Sequence, residues 1–410
     1  MKQVDIIRPC SINAIVGPIG TLKRILKNED YFTERGYSVS LFTDESIPLD
    51  RPVKITDVKV ATGKPGKPSI KGRIYNKLSM WGKHVYPLAC FLMENQHRVT
   101  KRLTDYYIAQ KRTPDVVEFH SDAECYMYLK QRKEHKAKTV LFLHSDGIPF
   151  AMYLVYYPCL KGSRYYKREW KKIEWTMENV DEIVFIAQKG QDNFLKLFPN
   201  INPSKTFVML NGIDDLIDEQ KMEVGEIRDR QYGFKYRLCC TGTINTRKGH
   251  LYIIEALHQI SKEKLSEIHV DFLGEGPQRA ELEKLVHQYG LENHIKFHGS
   301  VPNEVVYRQL AEENIYILMS QNEGLPISII EAMRAGLPII STKVAGIPEI
   351  VKEGYNGILL NPSTEELISL LVSLDSYDWK DMGDNSRIRF ENELTFDRMR
   401  KDFCDMFDSL

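Results

Sequence analysis

Residues 322–338 read NEGLPISIIEAMRAGLP and follow the run Ile315-Tyr316-Ile317-Leu318-Met319-Ser320. A short apolar run rich in β-formers predicts a buried strand. The polar break after it, and then the spacing of Ile329, Ile330 and Met333, predict a loop turning into a helix. Pro326 suits the first helical turn. Glu323 then lies in the loop above a helix N-terminus, and Glu331 sits about five residues into the helix, roughly 7.5 Å further along its axis. That offset is comparable with the span of a diphosphate. Backbone N–H groups near Gly324 and Leu325, backed by the positive end of the helix dipole, make a natural seat for phosphate. The plainer alternative is that Glu331 shares a polar helix edge with Ser328 and Arg334 and is simply solvated.

Around this stretch the second half of the chain alternates strand and helix. Residues 236–242 open the series, and strands follow near 268–273, 294–298, 315–319, 338–342 and 357–360. This is the pattern of a doubly wound domain with a parallel sheet. Its first strand ends in Gly242-Thr243-Ile244-Asn245-Thr246-Arg247-Lys248-Gly249, before a helix expected from about 250 to 260. A lysine at such a turn can neutralise a phosphate as a compact point charge. The loops at Leu273-Gly274-Glu275-Gly276 and Phe297-His298-Gly299 end two further strands and read equally as ordinary turns or as ligand borders.

The first half opens with a strand at 4–7, a loop at 12–20 containing Gly17, Pro18 and Gly20, a helical stretch at 21–35 and a second strand at 36–42. Strand, glycine loop, helix and strand begin a second doubly wound domain, whose ligands belong at the carboxyl ends of its strands. No GxGxxG is present, so a nicotinamide cofactor is not indicated. Two strand ends carry histidines, in Val116-Val117-Glu118-Phe119-His120 and Val140-Leu141-Phe142-Leu143-His144-Ser145-Asp146. Placement at a carboxyl end favours a functional reading for them, with His144 preferred over His120. Asp146 would orient His144 or touch an acceptor.

The order Glu323, seven residues, Glu331, set in EGLPISIIEAMRAGLPII and followed by Val344-Ala345-Gly346-Ile347-Pro348-Glu349, resembles the signature of the retaining glycosyltransferases of family 4. The similarity is close over 211–362 and weaker before it. The resemblance implies a GT-B fold, α/β, with two doubly wound Rossmann-like domains facing a cleft: residues 1–215 on the acceptor side, joined by a last helix at 391–410, and residues 216–390 on the donor side. The linker falls at 215–232. It also implies that a nucleoside diphosphate sugar is the donor, UDP-sugar favoured, and a glycan or lipid-linked molecule the acceptor.

Carried over residue by residue, Glu323 would hold hydroxyls of the transferred sugar, Glu331 the ribose, Lys248 the diphosphate, and His144 the sugar from the opposite domain, with His120 and Asp146 on the acceptor side. Gly274 and Gly299 would border the nucleobase. Gly17 and Gly20 stand where the family has a glycine pair that admits the donor phosphate or acceptor. The family has an arginine directly after the first glycine of this loop and a lysine before the second; Thr243 stands where the arginine is expected, and Arg247 is the nearest substitute. Rival readings are another GT-B reaction, such as epimerisation or phosphorolysis, and a non-catalytic partner subunit of a glycosyltransferase complex.

With 42% apolar and 27% charged residues over 410 positions, the composition is that of a soluble globular chain of two domains. No run of 18 apolar residues exists. The N-terminus enters a strand without a signal-like stretch, so a cytoplasmic location is expected, with attachment to the inner face of a membrane as an option. Seven scattered cysteines show no CxxC or metal-ligand spacing and read as reduced core residues. No metal or cofactor is expected, since no Asp-x-Asp motif is present.

The net charge of zero hides an asymmetry. Residues 1–215 hold 34 Lys and Arg against 24 Asp and Glu, net +10, and the remainder holds 22 against 32, net −10. Lys64, Lys67, Lys71, Arg73, Lys77 and Lys83 are interleaved with Tyr75, Trp81 and Tyr86, and a second basic and aromatic cluster spans 161–172. Such clusters suit an anionic membrane surface or a solvated helix face; no nucleic-acid module accompanies them.

Overall fold

The computed structural model describes residues 1–14, 17–58, 78, 81–132, 137–228, 233–302 and 305–410. The chain forms two compact units, Met1–Met209 with Arg400–Leu410, and Leu210–Met399.

The first unit is built on β1 (Lys2–Ile7), β2 (Tyr37–Phe42), β3 (Val116–Phe119), β4 (Lys138–Leu143), β5 (Glu182–Phe185) and β6 (Thr206–Val208). They pair in parallel in the order β2-β1-β3-β4-β5-β6. Helices cover both faces of such a sheet, so its central strands are buried on each side. β3 is buried at every position although its third residue is Glu118. The order reverses between β1 and β3, which makes the carboxyl ends of those strands the ligand-binding edge. The final residues join this unit: Phe403 packs on Phe142 with ring centroids 5.5 Å apart, and the Arg400 guanidinium lies 3.9 Å from the ring centre of Tyr31.

The second unit is built on β7 (Tyr236–Thr241), β8 (Ile268–Leu273), β9 (Ile295–Gly299), β10 (Ile315–Leu318), β11 (Ile339–Thr342) and β12 (Gly357–Leu360). Their order is β12-β11-β10-β7-β8-β9, parallel throughout. This is the classical doubly wound arrangement, and its order reverses between β7 and β10. Residues 322–338 follow β10 at this switch. Its helix, Ile327–Arg334, buries Ile329, Ile330, Ala332 and Met333.

Three local expectations change. The glycines at 17 and 20 do not sit in a loop, because the helix Gly17–Lys27 already includes them, and a second helix, Glu29–Glu34, replaces the rest of the single one expected. Part of the expected linker is helical: Asp218–Arg228 buries Val224 and Ile227 against Leu216, Tyr307 and Ala311. An amphipathic seam of only a few apolar residues was hidden there by the charge around it. Pro326 is the extended residue that precedes the helix (φ −72°, ψ 116°), and Ile327 begins it. All seven cysteines are free thiols, and Cys239 and Cys240 are buried in β7.

Candidate active site at the carboxyl ends of β7 and β10

The loop after β7 is shaped by backbone geometry that needs particular residues. Asn245 accepts a hydrogen bond from the Lys248 amide at 3.1 Å, closing the single turn Thr246–Lys248. Gly249 then turns the chain into the helix His250–Gln259 with φ +72°, and a Cβ there would stand 1.9 Å from the Met319 carbonyl oxygen. Only glycine allows both. A Cβ on Gly274 would meet the Gly242 carbonyl oxygen at 1.8 Å, and Gly274 bridges to Gly299, so the loops after β7, β8 and β9 meet backbone to backbone.

Those constraints deliver Arg247 and Lys248 to the loop after β10. Lys248 Nζ lies 2.8 Å from Glu323 Oε1 and Arg247 Nη1 lies 2.8 Å from Glu323 Oε2. Ser320 donates its hydroxyl to Glu323 Oε1 at 2.8 Å. Lys248 and Glu323 are 8% and 7% exposed, so this ion pair is screened from water on most sides. Burial pushes the Glu323 carboxyl up, but the charges of Lys248 and Arg247 and the Ser320 bond more than offset it and hold the group below its ordinary range. The loop itself is pinned: Arg247 donates to the Asn322 carbonyl at 2.8 Å, Gly346 to that of Gly324 at 3.0 Å, and Asn211 to that of Leu325 at 3.1 Å. Glu331 is the fifth residue of the helix and half-buried, and Thr243 is exposed. The structure therefore gathers Arg247, Lys248, Glu323, Gly324 and Leu325 at one edge and leaves Gly17 and Gly20 in a helix of the first unit.

In the first unit, the two histidines offered as alternatives are one hydrogen-bonded pair. His120 Nδ1 and His144 Nε2 are 2.7 Å apart, and the rings stack with centroids 5.0 Å apart at 16°. Arg8, just past β1, donates to the His120 carbonyl at 3.0 Å and lies 3.4 Å from Glu124. Burial, with Arg8 nearby, keeps both imidazoles neutral well below their usual range. Asp146 Oδ1 accepts from the Ile148 amide at 3.3 Å, a local turn contact. Sequence reasoning missed Glu118 and Glu124, although a glutamate inside Val-Val-Glu-Phe was a visible signal.

The basic clusters divide. Lys64, Lys67, Lys71, Arg73, Tyr75 and Lys77 lie outside the described residues, while Trp81 is exposed. In the second cluster Tyr165 is buried and Trp170 stacks on Phe198, so these aromatics serve the core and only Lys161, Arg164, Lys167, Arg168 and Lys171 face outward. Among the described residues, Glu94, His97 and Glu169 bring possible metal ligands within 4.8 Å of one another, but Lys172 and Arg168 already hold Glu169, each at 2.9 Å. No helix among the described residues is long and apolar enough to cross a membrane.

Comparison with known proteins follows the same division. Residues 29–215 match the family Glycosyltransferase Family 4, and residues 226–378 match Glycosyl transferases group 1. The chain is built from two glycosyltransferase domains. The chain is 31% identical over 134 residues to the putative colanic acid biosynthesis glycosyltransferase WcaL of Salmonella typhimurium, covering 31% of this chain and 33% of that one. It is 28% identical over 237 residues to an uncharacterized glycosyltransferase of Methanocaldococcus jannaschii, covering 57% and 59%. These alignments thus span less than two thirds of either relative. Among solved structures, Anabaena Alr3699/HepE in complex with UDP aligns over 100% of both chains with a TM-score of 0.66 at 16% identity. Sucrose-phosphate synthase from Thermosynechococcus elongatus aligns over 100% of this chain and 99% of its own with a TM-score of 0.68 at 16% identity. The two parallel six-stranded sheets are those of the GT-B fold.

Proposed function

We propose that this chain transfers a sugar from a nucleoside diphosphate sugar, UDP-sugar favoured, to a glycan or lipid-linked acceptor, with retention of anomeric configuration and without a metal. One observation carries the reading: Lys248, Glu323 and the Gly324-Leu325 turn converge on the switch point of the second sheet, where doubly wound folds bind ligands. The structural neighbour bound to UDP supports a uridine donor.

Breaking the sugar–phosphate bond builds negative charge on the diphosphate and oxocarbenium character on the sugar, and the site must stabilise both. Lys248 and the backbone N–H groups near Gly324 would take the diphosphate, with Arg247 beside them. Glu323 would bind sugar hydroxyls and Glu331 the ribose. Gly274 and Gly299 would border the base, and His144 would act at the sugar. Retention follows if the leaving phosphate takes the acceptor proton on the same face, so no separate base is required. The sequence carries no Asp-x-Asp motif to hold a divalent cation, and turnover is expected to survive EDTA. Residues 1–215 with 391–410 would serve the acceptor and 216–390 the donor. Exposed Trp81, Tyr86 and Phe91 would add contact with an anionic membrane surface, which sedimentation with anionic vesicles at low salt tests.

The exposed Thr243, standing where the resemblance expects an arginine, favours a second reading as a non-catalytic partner subunit. Hydrolysis and transfer with a panel of UDP-, GDP- and ADP-sugars, with Glu323→Ala as control, decides between them. Turnover of one donor, lost in Glu323→Ala, supports the transferase; no binding and no turnover of any donor supports the subunit.

A further inference from the structure

We propose that Arg8 makes the first unit selective for an acidic acceptor, its guanidinium binding a phosphate or carboxylate group that the acceptor carries. Assigning that group to the acceptor rests on the function proposed above; the binding of an oxyanion at Arg8 does not.

Arg8 is the first residue after β1, and its amide donates to the Phe42 carbonyl at the end of β2 at 2.9 Å. The backbone is therefore fixed at the carboxyl edge of the sheet, beside the point between β1 and β3 where doubly wound folds collect ligands. Nη1 reaches across to the end of β3. It donates to the His120 carbonyl at 3.0 Å and makes a long contact of 3.4 Å with Glu124 Oε1, from the helix Asp122–Gln131. The Cys10 thiol, a weak acceptor, stands beside the guanidinium. Nε is buried without a hydrogen-bond partner. Nη2 makes no hydrogen bond to a described residue either and is not among the buried atoms. The side chain is 21% exposed, so part of the fork meets solvent.

The charge has no ionised partner in contact with it. Burial pushes the Glu124 carboxyl up to about 8, and the Arg8 charge offsets only part of that rise, so Glu124 is a neutral acid at neutral pH. Burial also pushes the Cys10 thiol up to about 11 and holds the imidazoles of His120 and His144 well below their usual range, so these groups are uncharged too. Asp44 and Asp122 are further carboxyls of this region, and neither bonds the guanidinium. Arginine cannot shed its proton. One positive charge thus faces neutral side chains, with an N–H left buried and unmet. A neutral amide would suffice to hold the His120 carbonyl, so a bracing role leaves the charge unexplained. An oxyanion supplies what is missing: the opposite charge, and two acceptors spaced to match Nε and Nη2 along one edge of the planar fork. The net charge of +10 over residues 1–215 draws anions to this unit.

The first test titrates inorganic phosphate into the full chain by calorimetry at low salt, in the presence of UDP. Expected is a phosphate site that weakens about 10- to 100-fold in Arg8→Gln and by less in Arg8→Lys, which keeps the charge but not the fork. A wild type with no phosphate site that depends on Arg8 overturns the inference. If Arg8→Gln does not fold, a wild-type crystal grown with phosphate decides, and the absence of an anion within hydrogen-bond distance of Nη2 overturns it. The second test compares transfer to a neutral sugar acceptor with transfer to the matching uronic acid and sugar phosphate. Arg8→Gln should lower kcat/KM for the acidic acceptors about 10- to 100-fold more than for the neutral one, with the KM of the donor unchanged. Equal losses on all acceptors would mark a brace, and a rise in donor KM alone would assign the anion to the donor; either result overturns the acceptor assignment. A chain that binds phosphate through Arg8 but turns over no donor refutes the transferase reading alone. One that transfers sugar without an Arg8-dependent anion site refutes this inference alone.

Discussion

Replacing Lys248 with Met removes the ammonium while keeping most of its buried stem. The Glu323 carboxylate, 7% exposed, would keep Arg247 at 2.8 Å on one oxygen and Ser320 at 2.8 Å on the other, but lose its most buried cation. Breaking a buried pair from one side costs about 3–5 kcal/mol, because the other charge stays behind. Arg247 puts the loss near the lower end, about 3 kcal/mol, or about 6–12 °C in Tm for a unit of this size. Glu323→Gln should cost a similar amount, since it leaves two cations facing a neutral amide. The double variant places Met beside Gln and leaves only the half-buried Arg247 facing the amide, so it should be about 2 kcal/mol more stable than the sum of the single losses implies. Urea unfolding of the wild type and the three variants, followed by tryptophan fluorescence, measures this coupling. A coupling below about 0.5 kcal/mol would mean that the pair contributes nothing beyond its separate parts, and the electrostatic account of this site would be wrong.

Other consequences follow from single positions. Gly249→Ala combines φ +72° with a Cβ 1.9 Å from the Met319 carbonyl, and should lower unfolding free energy by more than about 3 kcal/mol in a urea titration. The Glu118 carboxyl, raised from 4.5 to about 8, adds stability below its unfolded value that is lost as pH rises through the folded value. The wild type should therefore lose up to roughly 4 kcal/mol between about pH 4.5 and 8 through this group, and Glu118→Gln should flatten that part of a Tm-versus-pH curve. Thr243→Arg supplies the cation that the resemblance expects, and should tighten UDP binding by about 3- to 10-fold in calorimetry, on the order of 1 kcal/mol.

Much of this architecture could be read before any coordinates. The strands of the second unit are apolar runs bounded by glycine and polar residues, and a parallel strand buried on both faces leaves that plain mark. Glu323 and Lys248 were also legible, because a strand end followed by a helix places its loop residues at one edge of the sheet. What escaped depends on strand order. His120 and His144 are 24 residues apart, and they meet only because β3 and β4 are neighbours. Asn211 reaches the Leu325 carbonyl across 114 residues. Local pattern also misled at Gly17 and Gly20, which look like loop glycines yet lie in the first turns of a helix. The helix Asp218–Arg228 was hidden because its buried stripe amounts to Val224 and Ile227 within a charged segment.

The central claim is that the carboxyl edge of β7 and β10 grips an activated sugar. A crystal of this chain grown with UDP tests it most directly. The diphosphate is expected against the Gly324 and Leu325 amides and Lys248 Nζ, with the ribose on Glu331. Nucleotide bound elsewhere, with Lys248 and Glu323 unmoved and Glu331 turned to solvent, would contradict it.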